Sequence, residues 1–288
     1  MDKIDPRILL YGEGWDMGTG LMPEDKAKKD NAYQLPRIGF FNDTQRDAIK
    51  GAEVYGGLKA GYVSGQATED IIAKAILGSS ELGSYLTPSQ VLNYVEAHDN
   101  FNLHDLLVDL HPDDDEVTRT KRIELATAMN LLMQGMAFME LGQEFSRTKL
   151  VGTGEEGQVL PSDRDRAMNS YNAPDAVNQV NWELISQHQE SIDYIKQIIH
   201  LKTSQKEFSY QTYEEIYKHV FVREAFAGSG IVIFEIKDEK HYEIIFNASG
   251  LPYYLENADH LRLLVGNSRH KRPFYVENLT ASVFEVIA

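Results

Sequence analysis

There is no cysteine among the 288 residues, which excludes a disulfide framework, a thiolate metal site and a cysteine nucleophile. No apolar run approaches the roughly 18 residues that a membrane span requires. The N-terminus, Met1-Asp2-Lys3-Ile4-Asp5-Pro6-Arg7, is charged and leads into a short apolar stretch, too brief for the apolar core of a secretory signal. The cytoplasm is therefore the default expectation, and the compartment otherwise stays open. Basic residues are scarce: 28 Lys and Arg stand against 44 Asp and Glu, a formal net charge of −16. Such a balance repels phosphate backbones and anionic lipid, so neither nucleic acid nor a membrane is an expected partner. Internal repeats and low-complexity tracts are missing. So are a G-x-S-x-G elbow, a Walker-type loop and an H-E-x-x-H helix, and no cofactor is expected.

What is there suits a globular protein with a large core. The first two-thirds alternates short apolar strands with helical patterns, as βα units around a parallel sheet do. Ile8-Leu9-Leu10-Tyr11 breaks at Gly12-Glu13-Gly14, and Ile38-Gly39-Phe40-Phe41 ends in Asn42-Asp43. Val91 to Val95 ends in Glu96-Ala97-His98-Asp99-Asn100, and Ala137 to Leu141 in Gly142-Gln143-Glu144. Each run is followed by polar and ionisable residues, where an α/β barrel places its chemistry. Ile123, Ala126, Met129 and Met133 predict a helix from Thr118 to Gln134. The acidic run Asp113 to Glu116 before it is either a helix N-terminal feature or a solvated loop. A long helix is expected from Trp182 to about Lys202, with Ile185, Ile192, Ile195 and Ile199 facing the core.

From about Ser204 the pattern changes. Tyr217–Val222, Gly230–Ile236, Tyr242–Phe246 and Ser282–Val286 read as strands without intervening helices, so a small antiparallel β-sandwich is expected. The division is 1–203, an α/β part, and 204–288, a β-domain. Leu150 to Asn178 reads as a long loop. Within it, Gly152-Thr153-Gly154-Glu155-Glu156-Gly157 fits a G-x-G-x-x-G pattern but follows no strand, and is read as loop. Four parallel strands do not close a barrel, which needs eight. Either the sheet is open or the chain lacks a first half.

Glu13 stands between two glycines after an apolar strand, with Trp15 two positions on. Glycines permit a tight turn that leaves the carboxylate open, and an aromatic beside a carboxylate suits the partly apolar face of a sugar. A strand-end Glu can equally be a solvated one. His98-Asp99-Asn100 follows another strand end and can equally be a hydrogen-bonded turn. If both strands share a barrel, Glu13 and Asp99 converge on one face, and two carboxylates over a sugar-sized pocket can divide acid and base roles. His104, Asp105 and His111 match no metal-ligand spacing, and no metal site is expected.

Tyr11-Gly12-Glu13-Gly14-Trp15 resembles the fifth-strand motif of the α-amylase superfamily in its type I pullulanase form. Tyr94-Val95-Glu96-Ala97-His98-Asp99-Asn100 resembles the seventh-strand motif. Phe41-Asn42-Asp43, Gly142-Gln143-Glu144-Phe145 and Asn169-Ser170-Tyr171-Asn172-Ala173-Pro174-Asp175 are similar to pullulanase sequence too. The resemblance implies the C-terminal half of a TIM (β/α)8 barrel, starting at its fifth strand, followed by the β-sandwich. It implies retaining hydrolysis of α-1,6-glucosidic branch links in pullulan, amylopectin or glycogen-like glucans. Glu13 would be the general acid/base and Asp99 the stabiliser of the transition state. Trp15, His98, Asn100, Tyr171, Asn172 and Asp175 would bind the sugar.

One departure matters. The family's nucleophile is an Asp in a G-F-R-F-D-like motif on the fourth strand, and no such motif occurs here. Nor do the third-strand D-x-x-x-N-H element and the Y-N-W-G-Y-D-P-like stretch. A retaining mechanism places its nucleophile about 5–5.5 Å from the acid, so the chain alone is expected to be inactive. Three readings stay open: an enzyme fragment, a glucan-binding or structural half-barrel that self-associates through its open edges, and a complete hydrolase using Asp43 as nucleophile.

Overall fold

The computed structural model describes residues 4–5, 8–54, 57–255, 258–267 and 274–287. Strand β1 (Leu10–Gly12) is followed by β2 (Ile38–Phe41), helix α1 (Asp43–Lys50), the hairpin β3 (Gly51–Val54) and β4 (Gly57–Ala60), and α2 (Glu69–Ile76). Then come β5 (Val91–Asn93), α3 (Leu103–Leu110), α4 (Glu116–Leu132) and β6 (Met136–Ala137). A helical stretch follows: α5 (Pro161–Met168), the single turns α6 (Asp175–Asn178) and α7 (Leu184–Gln187), α8 (Gln189–Ser204) and α9 (Tyr213–His219). The remainder is β7 (Val220–Glu224), β8 (Ile231–Lys237), β9 (His241–Asn247), β10 (Tyr253–Tyr254), β11 (Leu261–Gly266), β12 (Tyr275–Val276) and β13 (Thr280–Val286). No helix among the described residues is long and apolar enough to cross a membrane.

The four early apolar runs form one parallel sheet in the order β1-β2-β5-β6. Leu10 stands opposite Ile38, Phe40 opposite Val91 and Leu92 opposite Met136. Spatial order follows chain order because each step is a crossover, through α1 and α2 from β2 to β5 and through α3 and α4 from β5 to β6. All four strands therefore end at the same edge of the sheet. They are shorter than the apolar runs suggest. β5 stops at Asn93, whose buried side chain accepts from Asn42 Nδ2 at 3.1 Å. The expected fourth strand, Ala137 to Leu141, is reduced to Met136–Ala137, although Phe138 N–H still donates to the Asn93 carbonyl at 2.8 Å.

Helix α4 buries Ile123, Ala126 and Met129, and Met133 at its C-cap is buried too, as their spacing predicts. It starts at Glu116 because the Asp115 side chain accepts from Thr118 N–H at 2.7 Å. Asp114 pairs with Arg122 at 2.7 Å and Asp113 is exposed, so the acidic run is part cap, part tether and part solvated loop. The helix expected from Trp182 is instead broken at His188, between α7 and α8. The break resets the helical phase. The buried face of α8 is Ser191, Tyr194, Ile195, Ile198 and Leu201, while Ile199 is 38% exposed and Ile185 and Ile192 are half-buried.

The later strands form an antiparallel five-stranded sheet in the order β11-β13-β9-β8-β7. Its strands alternate between two cores, as a pleat requires. Val232, Phe234, Ile236, Ile244, Phe246 and Val283 face a core shared with α1, α2, α4 and α8. Ile231, Ile233, Ile245 and Phe284 face a smaller one closed by Val276, Tyr253 and Leu255. The antiparallel character expected after Ser204 is observed, but among the described residues the layer facing the five-stranded sheet is the two-stranded β10–β12 ribbon. A helix also intervenes. Tyr217 to His219, expected to open a strand, form the last turn of α9, which the Thr212–Glu215 capping box nucleates.

Candidate active site

Because β1 and β5 run parallel with β2 between them, Glu13 and the His98–Asn100 segment emerge at the same sheet edge. They meet there. Donor atoms of Glu13, His98 and Asp99 all lie within 4.8 Å of one another, and His98 Nε2 is 3.5 Å from Asp99 Oδ1. All three are exposed, with the His98 and Asp99 side chains 71% and 61% accessible. The cavity they edge is also lined by Trp15, Phe41, Arg46, Lys50, Tyr94, Ala97 and Asn100. Its carboxylates are Glu13 and Asp99. Three such donors are close enough to share a cation, but exposed acidic groups are common without one.

The turn carrying Glu13 depends on a glycine. Gly14 has φ of +69°, and a Cβ there would meet Phe40 at 2.5 Å and Lys29 at 2.9 Å. Lys29 lies over the Trp15 ring with its amine 3.8 Å from the centroid, and its ammonium also pairs with Asp43. Asp43 is thus engaged by Lys29 and is not among the residues that line the cavity.

The floor is aromatic. Phe41 meets Tyr11, Tyr94 and Phe138 edge-on at 5.9, 4.9 and 5.3 Å between centroids, the geometry that aromatic quadrupoles favour. The Tyr94 hydroxyl accepts from Arg46 at 2.7 Å, and burial raises its pKa to about 12. Beneath the strand ends lies a buried amide network. Asn42 caps α1 and donates to Ser79 Oγ at 2.8 Å, Asn93 donates to the Gln134 carbonyl at 2.8 Å, and Gln45 accepts from Tyr94 N–H at 3.2 Å.

The segment after β5 is held by buried ionisable side chains. Glu96, 2% exposed, accepts from Leu103 N–H at 2.7 Å at the start of α3. Burial raises its pKa to about 8, with the Leu103 amide acting against that shift. Lys50 donates to the Phe101 carbonyl at 3.0 Å, while Glu53 accepts from Phe101 N–H at 3.2 Å. Asp105 is fully buried and accepts from Lys149 N–H at 2.8 Å, with His104 Nδ1 3.2 Å away. His104 and Asp105 thus pair with each other and tie α3 to the backbone of Lys149.

Of the residues singled out from sequence, Glu13, Trp15, His98, Asp99 and Asn100 line one cavity. Tyr171, Asn172 and Asp175 do not line it. Tyr171 is 76% exposed, Asn172 is exposed, and Asp175 begins α6. Sequence reasoning missed Arg46 and Lys50, whose signal is their i, i+4 spacing on the helix after β2. It also missed Glu53, Glu96 and Lys149 as supports. Glu96 lies within the motif that carries His98 and Asp99, but its burial does not show in the sequence, and Glu53 and Lys149 come from distant parts of the chain.

No family model matches the chain. It is 37% identical over 224 residues to the pullulanase of Bacillus subtilis, an alignment covering 76% of this chain and 29% of that protein. Against pullulanase A of Streptococcus pneumoniae the identity is 25%, over 74% of this chain and 19% of the relative. A crystal structure of an Anoxybacillus pullulanase complexed with maltotetraose superposes with a TM-score of 0.85 and 31% identity, over 99% of this chain and 40% of that one. A Paenibacillus barengoltzii pullulanase in complex with maltohexaose and α-cyclodextrin gives 0.82 and 30%, over 100% and 44%. The chain belongs to a glycoside hydrolase family, the pullulanases. It spans less than half the length of these relatives.

Proposed function

We propose that this chain carries the acid/base half of a retaining α-1,6-glucosidase site and binds α-glucan at the cavity edged by Glu13 and Asp99. The observation that carries the reading is the convergence of Glu13, His98 and Asp99 within 4.8 Å at the ends of parallel strands. In this reading β1, β2, β5 and β6 are strands five to eight of a (β/α)8 barrel, 1–203 is the partial barrel domain, and 204–288 is the C-terminal β-sandwich domain that follows it. Glu13 protonates the leaving glycosidic oxygen and then activates water. Asp99 stabilises the oxocarbenium-like charge, and His98 and Asn100 bind hydroxyls of the same sugar. Trp15 stacks on a neighbouring glucose. Tyr171, Asn172 and Asp175 contact more distant sugars. Among the described residues the lining carboxylates are Glu13 and Asp99, one for acid/base work and one for charge stabilisation, with no third in the role of a retaining nucleophile.

The test is release of reducing ends from pullulan by the purified chain, with Glu13→Gln as control. Release no higher than the control, together with retention on immobilised α-glucan, is the expected result. Release that Glu13→Gln abolishes would show a nucleophile within this chain, and Asp43 is the residue to change next. A second reading, a self-associating half-barrel, is favoured by the outer edges of β1 and β6, which pair with no further strand among the described residues. It is separated from the first by a dimer on sizing that persists without glucan.

A further inference from the structure

Lys149 takes part in none of the chemistry above, yet it is 2% exposed and all three donors of its ammonium are used. Nζ donates to the His98 carbonyl at 3.1 Å, to the Asn100 carbonyl at 2.6 Å and to Ser170 Oγ at 3.3 Å. The first two partners are the residues on either side of Asp99. The third immediately precedes Tyr171. Asn100 has φ of +65°, a left-handed conformation that Asn tolerates better than most residues. With this turn, one ammonium gathers both flanking carbonyls while the Asp99 side chain stays exposed. The backbone of Lys149 is itself anchored to α3 through the buried Asp105 carboxylate, and Ser170 is held in turn by Asn178 Nδ2, which donates to its carbonyl at 2.7 Å.

We propose that Lys149 is a positioning residue that locks the Asp99 loop to the Tyr171 loop, so that the two glucan-contacting segments are presented as one rigid surface. The inference rests on the reading that these loops bind glucan, and it adds a coupling that the cavity lining does not reveal. Hydrogen bonds from a charged donor are about twice as strong as neutral ones, and an ammonium buried without acceptors is costly. Neither loop can therefore leave Lys149 without penalising the other. Glu96 on Leu103 and the Lys50–Glu53 pair on Phe101 act on the residues after Asn100 and do not reach residue 170. Arg147 gives a second, less direct link: its carbonyl accepts from Asn102 Nδ2 at 3.2 Å, and its guanidinium donates to the Asn178 carbonyl at 2.6 Å. Lys149 differs in touching both loops through one ammonium.

The experiment is hydrogen–deuterium exchange of the chain, with and without maltotetraose, comparing wild type, Lys149→Met and Ser170→Ala. Lys149→Met is expected to speed exchange of segments 97–103 and 169–172 together, on the order of tenfold, with the five-stranded sheet unchanged and maltotetraose protection of both segments lost. Ser170→Ala, which leaves the ammonium in place but removes one of its acceptors, is expected to speed exchange of 169–172 and, to a lesser extent, of 97–103; faster exchange of 169–172 alone would overturn the coupling. Ser170→Ala serves as the decisive variant if Lys149→Met does not fold. Unchanged exchange in both loops, a uniform rise over the whole chain, or undiminished maltotetraose protection in Lys149→Met would each overturn the coupling. If wild type shows no maltotetraose protection while Lys149→Met still frees both loops, the coupling stands and the glucan reading falls.

Discussion

Glu13 and Asp99 reach the same cavity by different means. Glu13 rides on a glycine-permitted turn directly after its strand, whereas Asp99 sits on a longer segment gripped from below by buried ionisable side chains. The most exposed of those grips to pH is Glu96. Its folded-state pKa, about 8, lies above the ordinary carboxylate value of 4.5, so the native state holds a proton that the unfolded chain releases. The stability associated with that proton is fully present below about pH 4.5 and is lost as pH rises towards 8. Glu96→Gln keeps an acceptor for Leu103 N–H but cannot ionise. Its melting temperature is expected to fall less between pH 5 and 8 than that of wild type, as thermal melts across that range will show. Equal slopes would mean that Glu96 is already ionised in the fold. At this scale the site was half legible. Glu13, Trp15, His98 and Asp99 were visible because strand-end motifs are contiguous, while Lys149, which touches the same loop from 49 and 51 positions away, was not.

Elements were legible where local chemistry and burial agree. In α4 the apolar spacing, the acidic residues before the first turn and the observed cap all point to one start. Asp115→Ala removes the acceptor for Thr118 N–H and is expected to cost about 1 kcal/mol, measurable by urea unfolding. No loss would mean that the neighbouring acidic residues take over the cap. Where local and tertiary preferences diverge, sequence reasoning was less secure. The isoleucines between 185 and 199 imply one continuous stripe, but the break at His188 rotates the later turns so that Tyr194 and Ile198 face inward and Ile199 does not. Tyr217 to His219 combine strand-like residues with the reach of a capping box that starts five positions earlier, and the box decides.

Across the whole molecule, the terminal sheet is bound to the α/β part by a common core, with Phe234 and Phe246 packing into the cluster that holds Met129 and Ile195. Phe234→Ala is expected to lower stability by about 3–5 kcal/mol. Because both tryptophans, Trp15 and Trp182, lie in the α/β part, tryptophan fluorescence and far-UV circular dichroism should shift together in that variant. A fluorescence transition left in place would show that the two parts unfold independently.

The sequence by itself determined the family, the alternation of parallel strands with helices, the later antiparallel strands, and the two motifs that supply Glu13 and Asp99. Each of these is written in residues adjacent in the chain or repeating at a short period. Tertiary structure alone decided that Glu13, His98 and Asp99 meet within 4.8 Å, that Asp43 is tied up by Lys29, and that a lysine remote from both motifs joins two loops. Those relations depend on which strand lies beside which and on where a buried charge finds its partners. Charges removed from water must find partners wherever the fold brings them, and local spacing does not record that choice.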